Sequence, residues 1–213
     1  MKTVFVTGSD TNVGKTWVAG TIASLLTRRG NRVQVVKPVE TGVVDVAQSD
    51  ATRAISDCED GLATAHTLHS FALPIAPVSA AKKAGKRLRV SVMIESMDAL
   101  PDCDWRIVEG AGSLAAPLEE EGADWSDFAL LAGFDRIVLV VEDRVGAIGQ
   151  ARMLHAYARE KGLSGGIWLN EIKEQSEDER AASLDGILNC GLPLWATQER
   201  GNERACLRED CWK

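Results

Sequence analysis

The 213-residue sequence has no apolar run approaching the roughly 20 residues that crossing a bilayer requires, so no membrane span is expected. The opening stretch Val4-Phe5-Val6 is short and is followed at once by Gly8, Asp10 and Lys15, which is not the core of a secretory signal. Histidine is scarce, and His66, His69 and His155 lack metal-ligand spacing. The five cysteines (Cys58, Cys103, Cys190, Cys206, Cys211) form no CxxC pair and are odd in number, with only Cys206 and Cys211 close together. Reduced thiols in the cytoplasm are therefore expected, rather than a disulfide framework or a zinc knuckle. Positive charge is also short: 24 Lys and Arg against 31 Asp and Glu leave −7, which excludes a general basic surface for nucleic acid or anionic membrane. Aromatic residues make up only 5% of the chain. The tryptophans Trp17, Trp105, Trp125, Trp168, Trp195 and Trp212 lie mostly on apolar runs and are expected in the core. The acidic run Glu119-Glu120-Glu121 is expected in a solvated loop.

The remaining composition, 45% apolar and 26% charged, is that of an ordinary globular protein, and the length suits one domain over residues 1–213. Short β-rich runs alternate with helical patterns. Strands are predicted at Thr3–Thr7, Arg32–Lys37 (stopped by Pro38), Trp105–Glu109, Arg136–Val141 and Gly166–Asn170, with a short run at Leu192–Trp195. Helices are predicted at Thr16–Arg29, Gly146–Lys161 and about Glu177–Leu188. The segment Val43–Leu100 is the least regular. The apolar runs lack polar alternation, which predicts an α/β fold with a mostly parallel sheet covered by helices on both faces. Ligands of such a fold bind beyond the carboxyl ends of its strands.

Directly after the first strand come Gly8-Ser9-Asp10-Thr11-Asn12-Val13-Gly14-Lys15-Thr16, leading into a helix. Backbone amides of such a loop, with the positive helix end, cradle phosphate oxygens. Lys15 is placed to reach the terminal phosphates, Thr16 to bind magnesium, and Gly14 to let the backbone approach the anion. The usual pattern has four residues between its glycines; here five separate Gly8 from Gly14, and Ser9 stands where the first glycine would fall. The order strand, loop, helix still marks a nucleotide site in a three-layer P-loop NTPase-type fold. Asp50 and Glu109 are the carboxylates best placed to complete a magnesium shell with Thr16. Glu109 runs into Gly110-Ala111-Gly112, small residues that expose amides to an anion.

Four further segments, Lys37-Pro38-Val39-Glu40-Thr41-Gly42, Ser49-Asp50-Ala51, Val108-Glu109-Gly110-Ala111-Gly112-Ser113 and Trp168-Leu169-Asn170, occur in this order, and with Gly8–Thr16 they resemble the dethiobiotin synthetase family. The resemblance implies an Mg-ATP-dependent ligase that closes a urea ring on 7,8-diaminononanoate with CO2. It implies Lys37 as the catalytic lysine, with Lys15, and substrate contacts from Thr11, Thr41 and Lys37. It implies nucleotide contacts from Asn12, Val13, Gly14, Lys15, Thr16, Trp17, Asp50, Glu109, Gly110, Ala111, Gly112 and Asn170, the last reading adenine. Family members are homodimers in which the helix start at Gly146 and Ala147 receives the substrate carboxylate from the partner subunit. The stretch Phe71–Ala81 resembles a family segment near the diamine chain. Asn12 stands where some members have glutamate, Ser113 where the motif usually ends in a second glycine, and the charged tail Gln198–Lys213 does not align with the longer segment that packs on the base. A partner-driving switch ATPase, a binding module that has kept the fold, and a related amidoligase are the rival readings. Asp10, at the place where partitioning-type ATPases carry a second lysine, weighs against the first.

Overall fold

The computed structural model describes residues 1–201 and 205–207. Its centre is an eight-stranded sheet: β1 (Lys2–Gly8), β2 (Val33–Thr41), β3 (Ala63–Phe71), β4 (Trp105–Glu109), β5 (Arg136–Glu142), β6 (Gly166–Asn170), β7 (Leu194–Gln198) and β8 (Cys206–Leu207). The strand order is β3-β2-β4-β1-β5-β6-β7-β8, and every pairing is parallel except β7 with β8. The mostly parallel α/β sheet read from the apolar runs is therefore present. β1 lies at the middle, between β4 and β5, and its carboxyl end opens between strands whose connections run in opposite directions. That crevice is where such folds take ligands.

Alternation of side chains along the strands divides the core in two. Val4 and Val6 of β1, Val33 and Val35 of β2, Ile107 of β4 and Trp168 of β6 pack on one face, against Val18, Ile22 and Leu26 of α1 (Lys15–Thr27) and Ala51 and Ala54 of α2 (Asp50–Ala54). Phe5, Val108, Leu139 and Leu169 turn to the other face. There they meet α3 (Pro77–Lys83), α4 (Val90–Asp98), α5 (Trp125–Ala132), α6 (Ala147–Glu160) and α7 (Glu177–Asn189). Helices thus cover both faces. Lys37, Glu109 and Asn170 share the parity of Val35, Ile107 and Trp168, so the same period of two delivers all three to the face that α1 covers.

Some expectations need correcting. β2 does not stop at Pro38 but runs to Thr41. Its ladder to β4 ends at Val36–Val108, while the ladder to β3 continues to Thr41–Phe71. Beyond Val36 the strand is an edge on one side, where a residue without an N–H is tolerated. The irregular segment holds β3, α2, α3 and α4. The acidic run is only partly solvated: Glu119 accepts the Val90 N–H at 2.6 Å and pairs with Arg89 at 2.9 Å, and so starts α4. Trp105, Trp125 and Trp168 are buried as expected, but Trp17 is 41% exposed, and Trp212 lies outside the described residues.

Phe5 is fully buried at the centre of an aromatic cluster, its ring centroid 5.9 Å from Trp125, 5.8 Å from Phe128 and 5.2 Å from Phe134. Phe5→Ala should cost about 3–5 kcal/mol in urea unfolding. A loss below about 1 kcal/mol would place the core elsewhere.

Candidate nucleotide and phosphoryl-transfer site

The loop between β1 and α1 is shaped by what cannot fit. A Cβ on Gly14 would lie 2.1 Å from Asn170 Nδ2, and Gly14 has φ +90°, so a side chain there is excluded by space and by backbone alike. A Cβ on Gly8 would meet the Val140 carbonyl at 2.8 Å. Asn170 Nδ2 donates to the Val13 carbonyl at 3.1 Å, which ties the end of β6 to the loop. α1 begins at Gly14 with no side-chain cap, so its first amides remain free to meet an anion.

Lys15, 6% exposed, folds back over the loop and donates to the Asp10 carbonyl at 2.7 Å. Burial, and then the neighbouring charge of Lys37, lower its ammonium from the ordinary 10.5 to about 8, against the opposing pull of Glu109, Asp50 and Asp10. That is a cation with unmet demand for negative charge, the condition a triphosphate relieves.

Lys37 is 2% exposed and sits between acids from two other elements. Its Nζ lies 2.6 Å from Glu109 Oε1 at the end of β4 and 2.8 Å from Asp50 Oδ2 at the start of α2, and donates to the Gly110 carbonyl at 3.2 Å. An ammonium has three N–H donors, and all three are committed. Burial alone would lower the Lys37 ammonium, but Glu109 and Asp50 outweigh it and hold it above its ordinary value. Burial would likewise raise the Asp50 carboxyl, yet Lys37 and Arg53 hold it below the usual range.

Thr16 Oγ1 donates to Glu109 Oε1 at 2.8 Å, so the loop hydroxyl and the β4 carboxylate meet. Asp50 reaches them through Lys37, with no direct bond to Thr16 among the described contacts. Glu109 Oε2 is buried without a partner. An unpaired hard oxygen beside a threonine hydroxyl and a second carboxylate suits magnesium, which takes one or two carboxylates and completes its shell with phosphate and water. No group of three His, Cys, Asp or Glu is arranged to hold a metal among the described residues, so protein ligands alone would not suffice.

These groups line one cavity of about 1040 Å³. Thr11, Asn12, Gly14, Thr16 and Trp17 enter it from the loop and α1; Lys37 and Thr41 from β2; Asp50 from the start of α2; Glu109, Ala111, Gly112 and Asn170 from the ends of β4 and β6 and the turn after β4. Val13 and Gly110 act from beneath through their carbonyls.

The sequence matches the AAA domain family over residues 2–190. It is 33% identical to the ATP-dependent dethiobiotin synthetase BioD of Bacillus licheniformis, over 91% of this chain and 84% of that protein. It is 31% identical to the namesake of Bacillus cereus, over 92% and 85%, and 29% identical to that of a Sulfurovum species, over 96% and 98%. The chain belongs to the dethiobiotin synthetase family. Among solved structures it resembles a ParA family ATPase from Chlorobium tepidum (TM-score 0.55, 16% identity, 95% of this chain and 84% of that one). It also resembles the MinC:MinD cell division complex of Aquifex aeolicus (TM-score 0.56, 13% identity, 95% and 83%). At such identities the likeness is one of fold.

Two family expectations are not gathered at the cavity. Gly146 caps the start of α6, with φ +96°, and neither it nor Ala147 lines the cavity of its own chain. Pro74, from the Phe71–Ala81 stretch, packs instead on the end of β2, 3.2 Å from where a Gly42 Cβ would stand. Other lining residues were not singled out from sequence: Glu40, Arg53, Glu171 and Arg200. Glu40 belongs to the Lys37–Gly42 motif, whose residue types do not reveal which way it points. Val36 and Val39, an odd number apart, pack in the same core, and Lys37 and Glu40, likewise three apart, both face the cavity.

The unfolded chain holds the Lys15 proton up to 10.5 while the folded protein releases it near 8, so the penalty for burying this cation is complete below pH 8 and fades as pH rises to 10.5. Without nucleotide, Lys15→Met should therefore be more stable than the parent at pH 7 by on the order of a few kcal/mol, the gap narrowing between these two pH values. Calorimetry at several pH values checks this; a gap that does not change with pH would mean the ammonium is not depressed.

Proposed function

We propose that the protein is a cytoplasmic Mg-ATP-dependent dethiobiotin synthetase of biotin biosynthesis, folded as one domain, that converts 7,8-diaminononanoate and CO2 to dethiobiotin. The observation that carries this is the convergence of Lys15, Lys37, Thr16, Asp50 and Glu109 on one cavity in a chain of that family. One amine of the diamine attacks CO2 and loses a proton, giving a carbamate. A carbamate oxygen attacks the γ-phosphorus of ATP, expelling ADP and leaving a carbamic-phosphoric anhydride. The second amine attacks the carbamoyl carbon; phosphate departs, a proton is lost, and the five-membered urea closes.

Little of this asks the protein for covalent chemistry. Its contribution is position and charge. The loop amides and Lys15 hold the triphosphate. Magnesium, held by Thr16, Asp50 and Glu109, would neutralise charge on the β- and γ-phosphates. Lys37, whose ammonium lies at the edge of the same cavity, meets the carbamate and the transferring phosphoryl group. Thr11 and Thr41 orient the carbamate. Asn170 keeps a buried, unpartnered Oδ1, an acceptor suited to the exocyclic amine of adenine. Trp17, half-exposed on the same wall, borders the nucleotide.

The start of α6 has no side-chain cap and follows Val145, 88% exposed, while Met153 further along the helix is 70% exposed. A second copy of the chain seated there would bring the carboxylate of its own substrate to Gly146 and Ala147, making the dimer part of each site. No helix among the described residues is long and apolar enough to cross a membrane. The partner-driving ATPase reading draws on fold likeness alone.

Diamine, labelled bicarbonate and ATP with magnesium should yield dethiobiotin carrying the label, one phosphate per ring, by mass detection. Lys37→Ala should lower that turnover by about 10²–10³-fold while unfolding remains cooperative. Undiminished turnover would remove Lys37 from the mechanism; absence of any product from the parent protein would remove the reaction.

A further inference from the structure

One carboxylate in the cavity has an unused oxygen that neither the phosphate loop nor the Lys37 cluster accounts for. Glu40, 7% exposed near the end of β2, accepts the Asp50 N–H with Oε1 at 2.9 Å and so satisfies the first amide of α2. Its Oε2 is buried and has no partner. A buried acceptor left unpaired carries a desolvation cost that a matching donor removes. In this structure Lys37 is not that donor, because its three N–H groups go to Asp50, Glu109 and Gly110. The side chain borders the cavity together with Lys37, Thr41 and Asp50. A phosphate there would be repelled by the carboxylate. An N–H group of a ligand would be drawn to it.

We propose that Glu40 is a specificity-determining residue that accepts, through Oε2, an N–H of the diamine nitrogen that is not carboxylated. The proposal rests on the reaction assigned above and deepens it by naming what reads the second amine. Two nitrogens on adjacent carbons need two neighbouring points of contact, and consecutive residues of β2 supply them: Thr41 for the carbamate, Glu40 for the amine that later closes the ring. A carboxylate at this point also disfavours acids and neutral chains without the second nitrogen, which leave its oxygen unpaired.

Glu40→Gln tests this without disturbing α2, since the amide oxygen still accepts the Asp50 N–H while an NH2 replaces the free oxygen. In calorimetric titrations of the intact protein with magnesium and a non-hydrolysable ATP analogue present, E40Q should weaken diamine binding by about 10–100-fold. Nucleotide affinity and the melting temperature should be retained. With a monoamine lacking the ring-closing nitrogen, wild type and E40Q should bind alike, because the contact being removed is absent from that ligand. Wild-type diamine affinity in E40Q overturns the proposal. So does an equal loss toward the monoamine, or a loss confined to magnesium-dependent nucleotide binding, which would put Oε2 in the metal shell. If the wild-type chain itself binds no diamine, the reaction assignment falls and this proposal with it; the comparison of E40Q with a binding parent fails separately.

Discussion

A lysine ammonium buried between two carboxylates is the constraint on which the rest of this structure depends. Lys37, Asp50 and Glu109 come from three elements, β2, α2 and β4, and meet within 2.8 Å. Such a pair is weak as a source of stability, because desolvation offsets most of its attraction, but losing one member leaves a charge stranded in the interior. The elements are therefore held in register by the penalty for separating them. α2 is only five residues long, and Ser49, which accepts the Thr52 N–H, and Glu40 anchor its first turn. The same penalty that fixes the geometry keeps two hard-oxygen donors poised at the edge of the phosphate loop.

The charged groups of the site compensate one another internally. Lys15 rests on a carbonyl of its own loop, Lys37 has every donor occupied, and Arg53 leans on Asp50. Each of these contacts is made by a charged group that also lines the cavity. A triphosphate would exchange partners with a network already assembled, so little chain would have to be reordered. Preorganisation of that kind is the main resource of phosphoryl-transfer sites, where charge placement supplies most of the rate.

Much of this was legible in the sequence because it follows from a period of two and from glycine. Lys37, Glu109 and Asn170 occupy strand positions of one parity, and Gly14 marks the loop where α1 starts. The edge of the sheet was not legible: β3 carries Thr64, His66, His69 and Ser70 among its apolar residues, and its half-buried pattern lacks the continuous apolar run that identified the central strands. α5 did leave signals, an Asp124 and Asp127 capping box and Gly133 just past its end, but a helix of eight residues is too short for periodicity to stand out. Glu40 was hidden because Pro38 interrupts the alternation that located Lys37. Gly146 and Ala147 do not line the cavity of their own chain, and no pattern within one chain shows what a second copy would bring to them.

The central claim is energetic coupling across the buried cluster, and a double-mutant cycle measures it directly. Lys37→Met alone should destabilise the nucleotide-free protein by about 3–5 kcal/mol in urea unfolding, because Glu109, 1% exposed, loses its counter-charge. Glu109→Gln made in the Lys37→Met background should recover part of that loss, giving a coupling of about 1–3 kcal/mol. Strictly additive losses would mean that the two side chains do not act on one another, and the assembled cluster would not exist in solution.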